Sequence, residues 1–171
     1  MAMSDLKVTN VVIGGLGGQG VLKSSDILAE AALRAGYDVK KSELHGMSQR
    51  GGSVSSDVRF GGQVLSPMVP AGEADFLLIL AADQLEPNRH VLRAGGTLIL
   101  PAQVDANKLL NRKSLNVALL GVLSRLLPMA DEHWLAAIRA NLAEKLHEAN
   151  LQAFALGRSA NESLSGPSRV A

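Results

Sequence analysis

The residues most suited to chemistry form a glycine-rich hexapeptide directly after an apolar segment. Residues 11–20 read VVIGGLGGQG, and the stretch from Gly15 to Gly20 satisfies the pattern G-x-G-x-x-G. Glycine adopts positive φ readily and lets a ligand approach the main chain, while the N-terminus of a following helix offers unpaired N–H groups. The loop therefore predicts a phosphate site, although a tight turn without any ligand gives the same pattern.

Two specific phosphate-binding patterns can be compared with this loop. A P-loop needs lysine directly after its closing glycine, but Val21 stands there and Lys23 comes two residues later, so that interpretation fails. A dinucleotide fingerprint needs an acidic residue about 20 positions further on, which binds ribose hydroxyl groups. Glu43 stands close to that place. A stand-alone Rossmann-like oxidoreductase that uses a nicotinamide or flavin therefore stays open as an alternative.

A second group of glycine and polar residues follows the second predicted strand. The stretch SELHGMSQRGGSVSSDVRFG, residues 42–61, contains Arg50 beside Gly51 and Gly52. Arginine binds oxyanions through a bidentate fork, and glycine lets a ligand approach the backbone. This composition favours a second contact with a phosphorylated ligand. A surface loop with a solvated arginine is the simpler alternative.

The elements that must position these residues begin as an alternation of strand and helix. Hydrophobic periodicity and turn residues predict strands over 8–13, 38–44, 54–58, 76–80 and 97–100. Helices are predicted over 20–35, over 83–93, from about 114, after 131 and over 142–156. Asn116 is expected to cap the third of these helices. The glycines at 61–62 predict a β-hairpin between 54–58 and 64–65.

These elements predict one α/β domain. The expected fold is a Rossmann-like three-layer sandwich with a mostly parallel mixed sheet, a β-hairpin insertion and C-terminal helices. We expect the domain to cover residues 1–158. Residues 159–171 form a polar, serine-rich tail without periodicity, which is expected to be disordered or a packing arm.

The composition excludes several classes of function. A length of 171 residues with 47% hydrophobic residues fits one domain with a core, and a net charge of +1 gives no reason to expect nucleic acid or a membrane as the main partner. The chain has no cysteine, which excludes disulfides and cysteine-bound iron–sulfur clusters, and its four histidines lack metal-ligand spacing. The longest apolar run, 76–82, is too short to span a bilayer, so a cytoplasmic protein is expected.

Three segments together resemble a known family. The stretches GGLGGQGV (14–21), SELHGMSQRGGSV (42–54) and ADFLLILAADQLEPNRHVLRAGGTLILP (74–101) are similar to the gamma domain of 2-oxoacid:ferredoxin oxidoreductases. Within that family, the second block is most similar to the small (beta) subunits of indolepyruvate:ferredoxin oxidoreductases. The resemblance covers roughly residues 7–156.

The resemblance implies a subunit of a larger enzyme. Such complexes oxidatively decarboxylate a 2-oxoacid on thiamine pyrophosphate, pass electrons through 4Fe–4S clusters to ferredoxin and transfer the acyl group to coenzyme A. This chain would contribute the coenzyme A site. The thiamine pyrophosphate and the clusters would lie on partner subunits, because the chain has no cysteine and no G-D-G…N pattern. The isolated chain could form a homodimer.

The family's motifs also imply a set of coenzyme-binding residues. One side of the cradle would consist of Gly15, Gly17, Gly18, Gln19 and Gly20. The other side would consist of Ser48, Arg50, Gly51, Gly52 and Ser53. The helix N-terminus would take one phosphate group and Arg50 another, and no catalytic or metal-binding residue is expected. A nucleotide-binding scaffold module without catalysis is a further alternative.

Overall fold

A six-stranded mixed sheet lies at the centre of the described part of the chain. The computed structural model describes residues 2–45, 51–160 and 168–169. The strands are β1 (Thr9–Leu16), β2 (Asp38–His45), β3 (Ser53–Gly61), β4 (Ala74–Ile79), β5 (Leu92–Ile99) and β6 (Ser168–Arg169). Their spatial order is β2-β3-β1-β4-β5-β6. Only β3 and β6 run against the other four strands, so the predicted α/β class with a mostly parallel mixed sheet is confirmed.

Strand β3 lies between the first two strands of the chain. It pairs in antiparallel fashion with β1 on one side and with β2 on the other. The predicted hairpin with 64–65 is therefore wrong, and β2 is the hairpin partner of β3. The 62–73 segment is instead hydrogen-bonded to polar side chains of β3. The N–H of Val69 donates to Asp57 Oδ2 at 2.8 Å, and Arg59 Nη1 donates to the carbonyl oxygen of Ser66 at 2.9 Å.

Four helices cover one face of the sheet. They are α1 (Val21–Arg34), α3 (Leu115–Ser124), α4 (Asp131–Asn141) and α5 (His147–Ser159). Helix α1 buries Ile27, Leu28, Ala31 and Ala32, a spacing that forms one apolar stripe. The rings of Trp134 and Phe154 join α4 and α5, with centroids 5.7 Å apart. The predicted helices in these four regions are confirmed.

Helices α3 and α5 approach each other through two glycines. A Cβ atom on Gly157 would collide with the carbonyl oxygen of Ala118, and one on Gly121 would collide with the carbonyl oxygen of Phe154. The two backbones are therefore in direct contact. This contact fixes the position of α3, whose first turn belongs to the site described below.

The opposite face of the sheet packs against a smaller apolar cluster and short turns. Its buried side chains include Val12, Leu77 and Leu98, against which Val69 and Leu85 pack. The predicted helix over 83–93 is interrupted: a 3₁₀ turn (Ala82–Gln84) leads into the short helix α2 (Leu85–Asn88), and another 3₁₀ turn (Arg89–Val91) follows. Strand β5 then starts earlier than expected.

Two glycines lie within β5 at an irregularity in its pairing with β4. Gly95 and Gly96 follow the helix predicted over 83–93, but they lie inside this strand. Between the pairs Ala74–Leu92 and Phe76–Thr97 the register shifts, and Gly95 has a φ of 74° at this irregularity. Glycine accommodates such a bulge without a steric penalty.

The polar tail is described only in part. Residues 161–167 and 170–171 lie outside the described residues. In strand β6, Ser168 and Arg169 pair with Leu98 and Thr97 of β5. Among the helices of the described part, none is both long enough and apolar enough to cross a membrane.

Candidate phosphate-binding site

The glycine loop connects β1 directly to α1. Strand β1 continues to Leu16, and Gly20 precedes the first residue of α1. Gly18 has a φ of 89° and Gly20 a φ of 85°, values that favour glycine. Gln19 closes the turn from within, since its Oε1 accepts a hydrogen bond from the N–H of Leu16 at 2.7 Å. Gln19 Oε1 is therefore occupied by a hydrogen bond inside the loop. The residue also borders the adjacent cleft.

The N-terminus of α1 has no neutralising group of its own. Among the described residues no side chain caps the helix, and its first turn contains no acidic residue. The first N–H groups of an α-helix have no partner within the helix, and the dipole places partial positive charge there. This end of α1 therefore suits an anion.

The structure brings the glycine loop together with part of the second predicted motif. The N–H of Gly17 donates to the carbonyl oxygen of Gly52 at 2.9 Å, and Leu16 lies opposite Ser53 in the sheet. The antiparallel pairing of β1 and β3 causes this contact, because the end of β1 meets the start of β3. Gly51, at a φ of 71°, precedes the junction. Ser48 and Arg50 lie outside the described residues.

Asn116 fastens the glycine loop to α3. Its Nδ2 donates to the carbonyl oxygen of Gly20 at 3.3 Å and to Ser24 Oγ at 3.2 Å. The prediction that Asn116 caps α3 is therefore wrong, since its side chain points to another helix and Ser114 occupies the cap position. A Cβ atom on Gly20 would lie 2.5 Å from Asn116 Nδ2, so this contact also requires glycine.

A cleft with a volume of about 270 Å³ opens between the glycine loop and the start of α3. Gly18 and Gln19 border it on one side, and Arg112 and Lys113 of the 3₁₀ turn Arg112–Ser114 border it on the other. Leu80, the first residue after β4, also lines the cleft. These two cations belong to neither glycine motif; their signal in the sequence is a pair of basic residues shortly before an apolar helix.

The cleft lies where ligands bind in open α/β sheets. Strands β1 and β4 are adjacent and parallel, but β1 leads into α1 on one face and β4 leads into the segment with α2 on the other. Such a switch of direction leaves a crevice at the carboxyl ends of the strands. The loop after β1 and the first residue after β4 both border the cleft at this crevice.

The dinucleotide interpretation does not fit this arrangement. Strand β3 separates β1 from β2, so the end of β2 is displaced from β1 by an additional strand spacing of about 4.8 Å. Glu43 is engaged there, because its Oε1 accepts from Lys41 Nζ at 2.8 Å. Burial lowers the pKa of Lys41, but hydrogen bonds to Asp26 and Glu43 and their charges raise it, and the net result lies above the usual value.

The fold and the loop define this chain as an α/β domain with a glycine-rich loop at the switch point of its sheet. The chain belongs to the pyruvate ferredoxin/flavodoxin oxidoreductase family, whose family model matches residues 10–160. The predicted family is thereby confirmed, and the chain is an oxidoreductase subunit of this family.

Two relatives align with most of this chain and with most of their own length. It is 36% identical to the indolepyruvate oxidoreductase subunit IorB of Thermococcus kodakarensis, in an alignment that covers 94% of this chain and 100% of the relative. It is 37% identical to the subunit of the same name from Pyrococcus horikoshii, over 89% of this chain and 95% of that protein.

Solved structures share the fold at lower identity. The gamma subunit of a keto/oxoacid ferredoxin oxidoreductase from Geobacter sulfurreducens has a TM-score of 0.74 and 24% identity, over 87% of this chain and 95% of that chain. The 2-oxoglutarate:ferredoxin oxidoreductase from Magnetococcus marinus, solved with 2-oxoglutarate, coenzyme A and succinyl-CoA bound, has a TM-score of 0.80 and 22% identity. The match covers 96% of this chain and 33% of the Magnetococcus chain.

Proposed function

We propose that this chain carries the coenzyme A site of an indolepyruvate-type 2-oxoacid:ferredoxin oxidoreductase. The complex would decarboxylate a 2-oxoacid oxidatively and release it as an acyl-CoA. Relatives at 36% and 37% identity are indolepyruvate oxidoreductase subunits, which supports an aryl pyruvate as substrate. The bound coenzyme A and succinyl-CoA of the Magnetococcus structure support the choice of coenzyme.

The contact between Gly17 and Gly52 is the observation that carries this proposal. Coenzyme A contains a pyrophosphate and a separate 3′-phosphate, so its site needs oxyanion contacts at more than one place. The hydrogen bond of 2.9 Å joins two glycine-lined loops at the uncapped end of α1. Gly15, Gly17, Gly18, Gln19 and Gly20 would form one side of the cradle. Ser48, Arg50, Gly51, Gly52 and Ser53 would form the other.

The chain's part in the reaction would be binding and orientation. The N–H groups at the start of α1 would hold one phosphate group, and the guanidinium of Arg50 would hold another. Coenzyme A, when bound, supplies the thiol that accepts the acyl group. With no cysteine in the sequence, cysteine-bound clusters need partner subunits, which would also carry thiamine pyrophosphate and deliver electrons to ferredoxin.

Exposed apolar side chains support a role inside a hetero-oligomer. Leu65 is 83% exposed and Leu110 is 64% exposed. In a complex in the cytoplasm, partner subunits would cover such groups, and the isolated chain would form a homodimer to do so. Size-exclusion chromatography of the isolated chain checks this point: a dimer is expected, and a strict monomer would contradict it.

Reconstitution with the partner subunits from the same genome tests the proposed function. We expect no 2-oxoacid oxidation by this chain alone. With its partners, reduction of ferredoxin or a viologen dye should require both coenzyme A and a 2-oxoacid, with indolepyruvate or phenylpyruvate preferred over pyruvate. Activity that is independent of coenzyme A would contradict the proposal. Calorimetry adds a second readout, because tight binding of NAD and none of coenzyme A would favour the dinucleotide alternative.

A further inference from the structure

We propose that Arg112 and Lys113 bind the 3′-phosphate of coenzyme A, on the side of the cleft opposite the glycine loop. The inference rests on the proposed function and adds to it a pair of residues that lie outside both glycine motifs. It also assigns the 3′-phosphate to side-chain cations and the pyrophosphate to backbone N–H groups of the glycine loop and the start of α1.

Arg112 and Lys113 lie where they can contact a ligand bound at the glycine loop. They border the cleft of about 270 Å³ whose other side is formed by Gly18 and Gln19, and none of the described residues that line it is acidic. An anion held at the start of α1 would therefore share this cleft with two positive side chains. A ligand with two separated phosphate groups can use both sides at once.

Both charges are available for a ligand. Within the ranges that the structure describes, neither Arg112 nor Lys113 forms an ion pair. Arg112 Nη2 donates to the neutral side chain of Asn107, whose Oδ1 lies at 2.7 Å. This hydrogen bond orients the guanidinium without neutralising it, and other guanidinium N–H groups are left for an oxyanion.

The turn that presents the cations is held in place on both sides. Asn111 Oδ1 accepts a hydrogen bond from the N–H of Lys113 at 2.9 Å. On the other side, the hydrogen bonds of Asn116 tie the first turn of α3 to Gly20 and Ser24. The turn is thus fixed relative to the glycine loop before any ligand binds, which reduces the ordering cost of binding.

The chemistry of the phosphate groups decides which one fits the pair. A phosphate monoester such as the 3′-phosphate has a second pKa near 6 and carries a charge of about −2 at neutral pH. Two adjacent side-chain cations match this compact dianion. The pyrophosphate is a linear diester that needs close backbone approach, which the glycine loop and the helix N-terminus offer.

The test compares coenzyme A with 3′-dephospho-coenzyme A in the reconstituted oxidoreductase. In the double variant Arg112→Gln/Lys113→Gln, the KM for coenzyme A should rise about 10- to 100-fold, the effect of losing one or two charged hydrogen bonds. The KM for the dephospho compound should stay within about twofold, because it lacks the group that the pair binds.

A matched control removes two other exposed cations. The variant Arg139→Gln/Lys145→Gln makes the same change in net charge on α4 and the adjacent turn, away from the cleft, and it should leave both KM values unchanged. An equal rise for both compounds in the Arg112/Lys113 variant would overturn the inference in favour of a pyrophosphate contact. No change for either compound would overturn it too, while coenzyme A dependence of the unaltered complex would leave the proposed function standing.

Discussion

The side-chain amide of Asn116 donates a hydrogen bond to the carbonyl oxygen of Gly20 at 3.3 Å, although the two residues are 96 positions apart in the chain. This bond joins the start of α3 to the start of α1. Through it, the turn with Arg112 and Lys113 keeps a fixed distance from the glycine loop. The cleft therefore depends on a contact that neither helix could make alone.

Replacing Gly20 by alanine should destabilise the protein and weaken coenzyme binding. At a φ of 85° an alanine costs about 1–2 kcal/mol, and its Cβ would stand 2.5 Å from Asn116 Nδ2, which adds about 1–3 kcal/mol. Urea denaturation measures the loss in the free energy of unfolding. Gly18→Ala is the matched control, because its φ is 89° but no atom of the described residues lies within 4 Å of the added Cβ. Equal losses in the two variants would show that the contact with Asn116 is unimportant.

Gly157→Ala should destabilise the protein although it exchanges glycine for the best helix former. Inside a helix this change normally stabilises by about 1 kcal/mol. Here the added Cβ would collide with the carbonyl oxygen of Ala118, so we expect a loss of about 1–3 kcal/mol or more. Thermal and urea denaturation measure it. Ala155→Gly, on the exposed side of α5, should cost only about 0.5–1 kcal/mol, and a stabilised Gly157→Ala variant would contradict the close packing.

Asp57→Asn should change how stability depends on pH. Burial raises the pKa of the Asp57 carboxyl above its ordinary value of 3.8, against the N–H of Val69 and the charge of Arg59, which lower it. The pKa of Asp57 is higher in the folded protein than in the unfolded chain. The protein therefore loses stability as the pH rises from 3.8 through the pKa of the folded protein. Asparagine keeps the acceptor for Val69 without a charge, so the variant should gain stability relative to the parent over this range and then level off.

Urea denaturation at a series of pH values checks this expectation. A difference between Asp57→Asn and the parent that stays constant with pH would contradict it. The variant Asp57→Ala serves as a control, because it removes the acceptor as well as the charge. It should lose about 1–3 kcal/mol through the unpaired N–H of Val69.

Arg50→Ala should raise the KM for coenzyme A in the reconstituted enzyme. The loss of a charged hydrogen bond to a phosphate costs about 1.5–3 kcal/mol, which corresponds to roughly 10- to 150-fold. Steady-state kinetics at saturating 2-oxoacid measures this change. Arg34→Ala is the control, since Arg34 pairs with Glu30 at 2.9 Å on the exposed side of α1. An unchanged KM for Arg50→Ala would remove Arg50 from the proposed site.

The sequence by itself determined the local elements and the family of this protein. The apolar stripe of α1 and the G-x-G-x-x-G loop follow from periodicity and backbone geometry within a few residues. Such signals are local, so a sequence displays them directly. The same locality explains the error over 83–93, where a pattern typical of one helix proved to be short turns and an early bulged strand.

Only the tertiary structure decided which loops form the site. The alternation of 54–58 predicted a strand, but it could not show that this strand lies between β1 and β2, because pairing depends on contacts distant in sequence. That insertion joins Gly17 to Gly52 and moves Glu43 away from the dinucleotide position. Arg112 and Lys113 have no periodicity to mark them, and they reach the glycine loop only because α3 packs on α5 and bonds through Asn116 to Gly20.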